Sequence, residues 1–297
     1  MGHYTRILAM AGALDPSGLI RDSISNSFQS ILESEYHLDW RTDGDFDWGG
    51  QTSWWIVDLA RQGNFDGLRE LENGVSDFRI LVVDQMNDVF PTVDLHVSPS
   101  PFRSKEHSRA NVYRFGWEFV LSRFDSMPAE RDETRSSLGI VLTGGADSLG
   151  VLPLWSRSLA RHEFMSSRID LIRGPFVSDR LCFPGPSMRV LDGQTEFPNS
   201  LSTYDLGLVV HGVSTFDLLV SGVPVVVMPN PEADHSSEVR YLHDEGVAIM
   251  AEGFEQAVAE FANLLQDEVR LSKMRKNLWR LLRSRLTFDM VAFLESM

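Results

Sequence analysis

The residues best suited to chemistry cluster in one stretch, Asp205–Pro229, DLGLVVHGVSTFDLLVSGVPVVVMP. Leu206–Val210 is an unbroken apolar run, as expected of a central parallel strand covered on both faces. Gly212 breaks the run. Ser214 and Thr215 then offer two hydroxyls at the start of a short helix that Gly222 closes, before Val223–Met228 opens the next strand. This order brings backbone N–H groups, hydroxyls and a positive helix end to the carboxyl edge of a parallel sheet, an arrangement that binds phosphate. Gly144 and Gly145 end another apolar run, where they would either let the backbone approach a ligand or make a plain tight turn. Asp147 follows as the cap of the next helix. Asp84, Asn87 and Asp88 end the run FRILVVDQMND; the carboxylates of Asp84 and Asp88 could orient a sugar hydroxyl, hold a metal weakly or act as a base. A single Asp-rich strand end is not a metal signature, so no metal site is assigned.

These residues must be positioned by alternating strands and helices. Strands are expected at Arg6–Ala13, Phe78–Asp84, Asp94–Ser98, Leu138–Thr143, Arg168–Arg173, Met188–Leu191, Leu206–Val210, Val223–Met228 and Val247–Met250. Helices are expected near Leu19–Glu33 and Trp54–Arg61, and over Phe254–Leu265 and Glu268–Ser284. The polar stretch DSMPAERDETRS, within residues 125–136, reads as an interdomain linker. The expected architecture is α/β, with two doubly wound, Rossmann-like domains facing across a cleft. The N-terminal domain covers residues 1–130 and the C-terminal domain 136–285, followed by a tail helix in 286–297. Trp48, Trp54 and Trp55 are either a stacking surface for a sugar or base, or core packing.

Composition bounds the partners. The 297 residues suffice for two ordinary domains, and 43% hydrophobic with 23% charged residues is typical of a globular chain. A net charge of −15 argues against a nucleic-acid backbone or an anionic membrane as partner. It does not argue against a phosphate ligand held by a local pocket of N–H groups. No apolar run approaches a membrane span, and residues 1–14 lack a signal-peptide pattern, so a cytoplasmic location is expected. Cys182 stands alone, which excludes an internal disulfide and a multi-Cys metal site. No cofactor is assigned.

The stretch HGVSTFDLLVSGVPVVVMP resembles the GGSTxxE–helix–LGVPxxxxP segment of sugar-nucleotide enzymes with the glycosyltransferase-B fold. It is most similar to the UDP-sugar hydrolase family of pseudaminic acid synthesis, and also resembles the N-acetylglucosaminyltransferase of cell-wall synthesis. Three more segments follow the hydrolase order: GWEFVLSRF at Gly116–Phe124, IVLTGGAD at Ile140–Asp147 and EADHSSEVRYL at Glu232–Leu242. The resemblance implies a UDP-linked sugar as ligand. By it, Gly144, Gly145, Gly212, Ser214 and Thr215 hold the nucleotide and its phosphates. Gly174 passes near the base, and Asp217 stands where the family places a ribose-binding Glu. Asp234 and His235 replace an Asn-Gln pair that faces the sugar, with His235 available as general acid or base near its reference pKa of about 6.5. At the first βα junction the hydrolases read GxGHxxR. Here Asp15, Ser17 and Gly18 occupy the Gly, Gly and His places, and Arg21 keeps the Arg; Ser17 and Arg21 fall on the sugar side.

Three functional classes follow. The main reading is a nucleotide-sugar hydrolase, which the overall similarity favours and which activates water against the anomeric carbon, with release of the nucleoside diphosphate. A glycosyltransferase uses an acceptor hydroxyl instead, and the missing first-loop His favours it over a strict hydrolase copy. A non-catalytic nucleotide-sugar-binding protein or partner subunit is the third. For either enzyme, the base is sought among His235, Asp84 and Asp88. The oligomeric state is open.

Overall fold

The computed structural model describes residues 19–20, 40–41, 53–59, 78–84, 94–102, 111–122, 137–164, 167–177, 185–193, 196–231, 236–288 and 290–296. Contacts divide the chain into two bodies. One is built on Gly116–Phe288 and takes in Ser100–Arg103; the other is built on Ile7–Pro99 and takes in Ser104–Phe115 and Asp289–Met297. The contact boundary falls at residues 115–116, and the expected linker at 125–136 lies outside the described residues.

In the N-terminal body, β1 (Leu19–Ile20) pairs in parallel with β2 (Trp40–Arg41). A separate parallel sheet runs in the order β3 (Ser53–Leu59), β4 (Phe78–Asp84), β5 (Leu95–Val97) and β6 (Val112–Arg114). Leu81, Val83, Leu95 and Val97 are buried, and the ring of His96 lies 4.9 Å from that of Tyr113. Two helix expectations are corrected here. Trp54–Arg61 is mostly strand, because SWWIVDL is rich in aromatic and β-branched residues and pairs in register with Phe78–Asp84 over its whole length. Leu19 and Ile20 also belong to a strand rather than a helix start, their apolar pair finding partners in Trp40 and Arg41. Of the expected helix Leu19–Glu33, residues 21–33 lie outside the described residues, as does the expected strand Arg6–Ala13.

The C-terminal body positions the site. Its strands are β7 (Leu138–Leu142), β8 (Arg168–Arg173), β9 (Met188–Asp192), β10 (Leu206–Val210), β11 (Val225–Met228) and β12 (Ala248–Met250). All pair in parallel in the order β12-β11-β10-β7-β8-β9. The first strand of the body is therefore central, and the chain reverses direction across the sheet between β7 and β10. The helices are α1 (Leu152–Leu159), α2 (Val213–Val220), α3 (Ser236–Asp244), α4 (Phe254–Leu264) and α5 (Glu268–Leu282). A sixth, α6 (Met290–Glu295), belongs to the N-terminal body, where Arg114 lies over Phe293. Among the described residues, no helix is long and apolar enough to cross a membrane.

Strand alternation sorts the core into two layers. Ile140, Leu142, Val209, Val225 and Val227 face α2, α3 and α5 through Leu218, Leu219, Val239, Leu242, Leu278 and Leu282. Val141, Ile169, Leu171, Leu208 and Val226 face α1 and α4 through Leu152, Trp155, Leu159, Val258 and Phe261. With both faces covered, the strands read as continuous apolar runs. Expected and observed boundaries differ by a residue or two, as at β11, where Pro224 lacks the N–H to begin the ladder but accepts from Gly207 N at 2.9 Å.

One buried polar cluster ties β8 to β9 and to the turn before β10. Asp170 is 1% exposed; it accepts from Arg189 Nε at 3.0 Å, Arg189 Nη2 at 2.7 Å and the Tyr204 hydroxyl at 2.8 Å. Burial, and then this hydrogen bond, hold the Tyr204 phenol well above its ordinary pKa. Replacing Asp170 by Ala leaves the buried Tyr204 hydroxyl without this acceptor, while Arg189, on the surface, turns to water. The expected loss is about 1–3 kcal/mol, the cost of unpairing a buried polar group. It should appear as a lower urea midpoint by intrinsic fluorescence, with D170N recovering part of it; an unchanged midpoint would contradict this role.

Candidate functional site at the strand-order reversal

β7 and β10 are neighbours, but their chains leave for opposite faces of the sheet. From β7 the chain runs through Thr143–Gly150 to α1, in one helix layer; from β10 it runs through His211 and Gly212 to α2, in the other. The two connections diverge at the carboxyl edge and leave a crevice, the position at which open parallel sheets take their ligands.

On the β7 side, Gly144 has φ +80°, a conformation that favours glycine, and a Cβ there would meet nothing within 4 Å. Asp147 is 8% exposed, has φ 45°, and caps α1 by accepting from Val151 N and Leu152 N, each at 3.0 Å. Asp147 is thus committed to the helix start. Gly174, after β8, packs directly on this loop. A Cβ on it would lie 2.2 Å from the Gly145 carbonyl oxygen, so only glycine fits. The Phe176 N–H donates to the same Gly145 oxygen at 3.1 Å, so the loops after β7 and β8 form one unit. Thr143, at the end of β7, is 8% exposed, and its hydroxyl has no partner among the described residues.

On the β10 side, Gly212 is the N-cap of α2, and a Cβ on it would also stand in open space. Its N–H donates to Thr215 Oγ1 at 3.2 Å, and Thr215 N–H donates back to the Gly212 carbonyl at 3.0 Å. Thr215 is fully buried, so its hydroxyl serves the cap. Ser214 is half-buried, and its hydroxyl makes no hydrogen bond to a described residue. Asp217, 6% exposed, accepts from the Ser122 hydroxyl at 2.6 Å. That bond points the carboxylate into the core between α2 and residues 120–122.

The structure brings Gly144, Gly145, Gly174, Gly212 and Ser214 to one sheet edge. It places Asp147, Thr215 and Asp217 beside them in structural bonds. Asp84 ends β4 in the other body, and Ser17, Arg21, Asp88, Asp234 and His235 lie outside the described residues. Sequence reasoning missed His211, which directly precedes Gly212. It is 5% exposed, with Nε2 at 3.2 Å from Glu238 Oε2 on the first turn of α3 and its ring 5.8 Å from Phe216. The other Glu238 oxygen accepts from the Ser100 hydroxyl. A histidine between a buried strand and a helix-opening glycine is the signal that could have marked this position. The arrangement offers an anion α2's first-turn N–H groups, the positive end of its dipole and the Ser214 hydroxyl.

No family model matches the chain, and no curated protein matches it in sequence. Solved structures do. Spinosyn rhamnosyltransferase SpnG, complexed with spinosyn aglycone, matches at a TM-score of 0.53 and 16% identity, over 99% of this chain and 80% of that one. The same enzyme complexed with thymidine diphosphate matches at a TM-score of 0.51 and 16% identity, over 97% of this chain and 75% of that one. The glycotransferase of kitacinnamycin matches at a TM-score of 0.43 and 17% identity over 67% of this chain, which spans only 55% of that one. At these identities the likeness is one of fold: the chain is an α/β protein with parallel sheets and the glycosyltransferase-B fold.

Two substitutions separate the site from its support. Gly212→Asp puts a favoured N-cap residue at α2 in open space, so the fold should keep or gain stability. Its carboxylate occupies the helix end and repels an anion, so affinity for a nucleoside diphosphate should fall about 100-fold or more, roughly 2.7 kcal/mol at 1.36 kcal/mol per decade. Gly174→Ala forces apart the loops after β7 and β8, so stability and binding should fall together. Thermal melts and calorimetry on both variants check this. Equal affinity in G212D and the unmodified protein would contradict the site.

Proposed function

We propose that the protein binds a nucleoside-diphosphate sugar at the reversal between β7 and β10 and transfers the sugar to an acceptor hydroxyl. The observation that carries this reading is the divergence of the two connections at that edge. A glycine with open space around its Cα stands on each side, α2 begins there, and the Thr143 hydroxyl at the end of β7 has no partner among the described residues. The glycosyltransferase-B fold, common to this chain and to an enzyme crystallised with thymidine diphosphate, supports the same class of ligand.

In the proposed reaction, the acceptor oxygen forms a bond to the anomeric carbon as the bond from that carbon to the diphosphate oxygen breaks. The acceptor proton passes to a base, and the departing diphosphate leaves with the negative charge. The N–H groups and dipole of α2 meet that charge where it develops, the usual role of preorganised donors. His235, Asp84 and Asp88 are the proposed sources of the base. Asp234, Ser17 and Arg21 are proposed for the sugar, and a uracil or thymine nucleotide for the donor. Hydrolysis is the second reading, favoured by the four ordered segment matches to the UDP-sugar hydrolases; it uses the same site with water in place of the acceptor.

Release of nucleoside diphosphate from UDP- and TDP-sugars, followed with and without a panel of hydroxyl acceptors, tests the proposal. Transfer predicts release that depends on acceptor and a sugar–acceptor product. Equal release without acceptor would replace transfer by hydrolysis, and no release in any condition would leave a binding protein. With an active substrate in hand, alanine at His235, Asp84 and Asp88 in turn should give at least one loss of about 100-fold or more, the scale of general-base catalysis. Three near-neutral variants would overturn this assignment of the base.

A further inference from the structure

We infer that α5 docks a short acidic segment of a partner protein along a single line of basic side chains. Residues 268–285 hold seven of the chain's 27 Lys and Arg and one acid, Glu268. This stretch therefore carries +6 and the remainder of the chain −21, against −15 overall. Lys273, Lys276, Arg280 and Arg283 are exposed and stand three, four and three residues apart, so they form one line along the helix. An ordinary solvated helix face sets acids among its bases at these spacings. Here like charges follow one another and repel. Of the four, Arg280 has an ion pair, with Glu245 at 3.1 Å on the surface; Lys273, Lys276 and Arg283 have none among the described residues. Arg280 and Arg283 suit the negative end of the helix dipole, whereas Lys273 and Lys276 stand in mid-helix, where the dipole offers them nothing.

The line is separate from the proposed nucleotide site. Arg275, on the same helix, is 3.6 Å from Asp205, which directly precedes β10. Asn277 donates at 3.3 Å to the carbonyl of Gly246, shortly before β12. These are the amino ends of parallel strands, so α5 packs at the sheet edge opposite the one where β7 and β10 part. Three properties fit a short acidic segment. From Lys273 to Arg283 the line is about 15 Å long, the span of roughly four or five residues of extended chain. Exposed charges farther than about 8–10 Å are screened, so such a segment meets the line and little of the −21 carried elsewhere. A membrane or a nucleic-acid duplex extends past the line and meets that charge. Trp279, 36% exposed, follows Lys276 by three residues and precedes Arg283 by four, and Trp beside Arg is the composition of a protein–protein contact.

Fluorescence anisotropy with a labelled peptide of about eight Glu residues, long enough to overspan the line, tests this against its Gln counterpart. At low salt the unmodified protein should bind the Glu peptide at least about 10-fold more tightly than the Gln peptide, and added salt should weaken that binding. K273E/K276E replaces two attractions by two repulsions at exposed positions, so it should keep the thermal melt and lose about 10-fold or more in Glu-peptide affinity. UDP affinity should be the same in both proteins; a fall in the variant would overturn the inference by placing the line at the nucleotide site. Equal affinity for the Glu and Gln peptides, or equal Glu-peptide affinity in the two proteins, overturns it as well. So does cosedimentation with phosphatidylglycerol vesicles, or a dimer in analytical ultracentrifugation, that K273E/K276E abolishes while the Glu peptide fails to bind. Those results assign the line to a membrane or to a second copy of the chain.

Discussion

Two adjacent parallel strands, β7 and β10, send the chain to opposite faces of their sheet, and the two connections part at the carboxyl edge. Each right-handed crossover must return over its own face, so α1 and α2 diverge from neighbouring strands. The rest of the C-terminal body serves this divergence. Continuous apolar strands hold the reversal rigid between two helix layers, and the short connections bring backbone donors to its rim. The proposed binding site is thus a property of topology first and of side chains second.

The side chains around the crevice divide by what they touch. Asp147, Thr215 and Asp217 turn inward and fasten α1, the α2 cap and the Ser122 segment. Gly144 and Gly212 leave open space at the rim, and the Ser214 hydroxyl makes no hydrogen bond to a described residue. The two carboxylates are buried and hydrogen-bonded, so a chain of net charge −15 can still present a locally positive helix end. His211 and Glu238, 3.2 Å apart, join the start of α2 to the first turn of α3, which fixes the orientation of the strand end from the side.

How much of this was legible beforehand depends on range. The strands of the C-terminal body were readable because burial on both faces leaves an unbroken apolar run, and Gly212 with Ser214 marked a helix start by local chemistry alone. Trp54–Arg61 was not, because a short run of mixed aromatic and branched residues fits either period until its partner strand is known. The roles of Thr215 and Asp217 were not legible either. Both fall on a helix buried nearly all round, so their direction is set by packing against Ser122 and the sheet rather than by spacing. His211 and Glu238 lie 27 residues apart, so their pairing is not a local signal.

Hydrogen–deuterium exchange with and without saturating nucleoside diphosphate tests the central claim most directly, since it locates the ligand without assuming a reaction. A ligand in the crevice should slow exchange of the first-turn amides of α2, Val213 and Ser214, together with those of Gly144 and Gly145, and leave the far edge at β12 unchanged. Protection confined to other segments, with the amides at the β7–β10 reversal exchanging as in the free protein, would contradict the account.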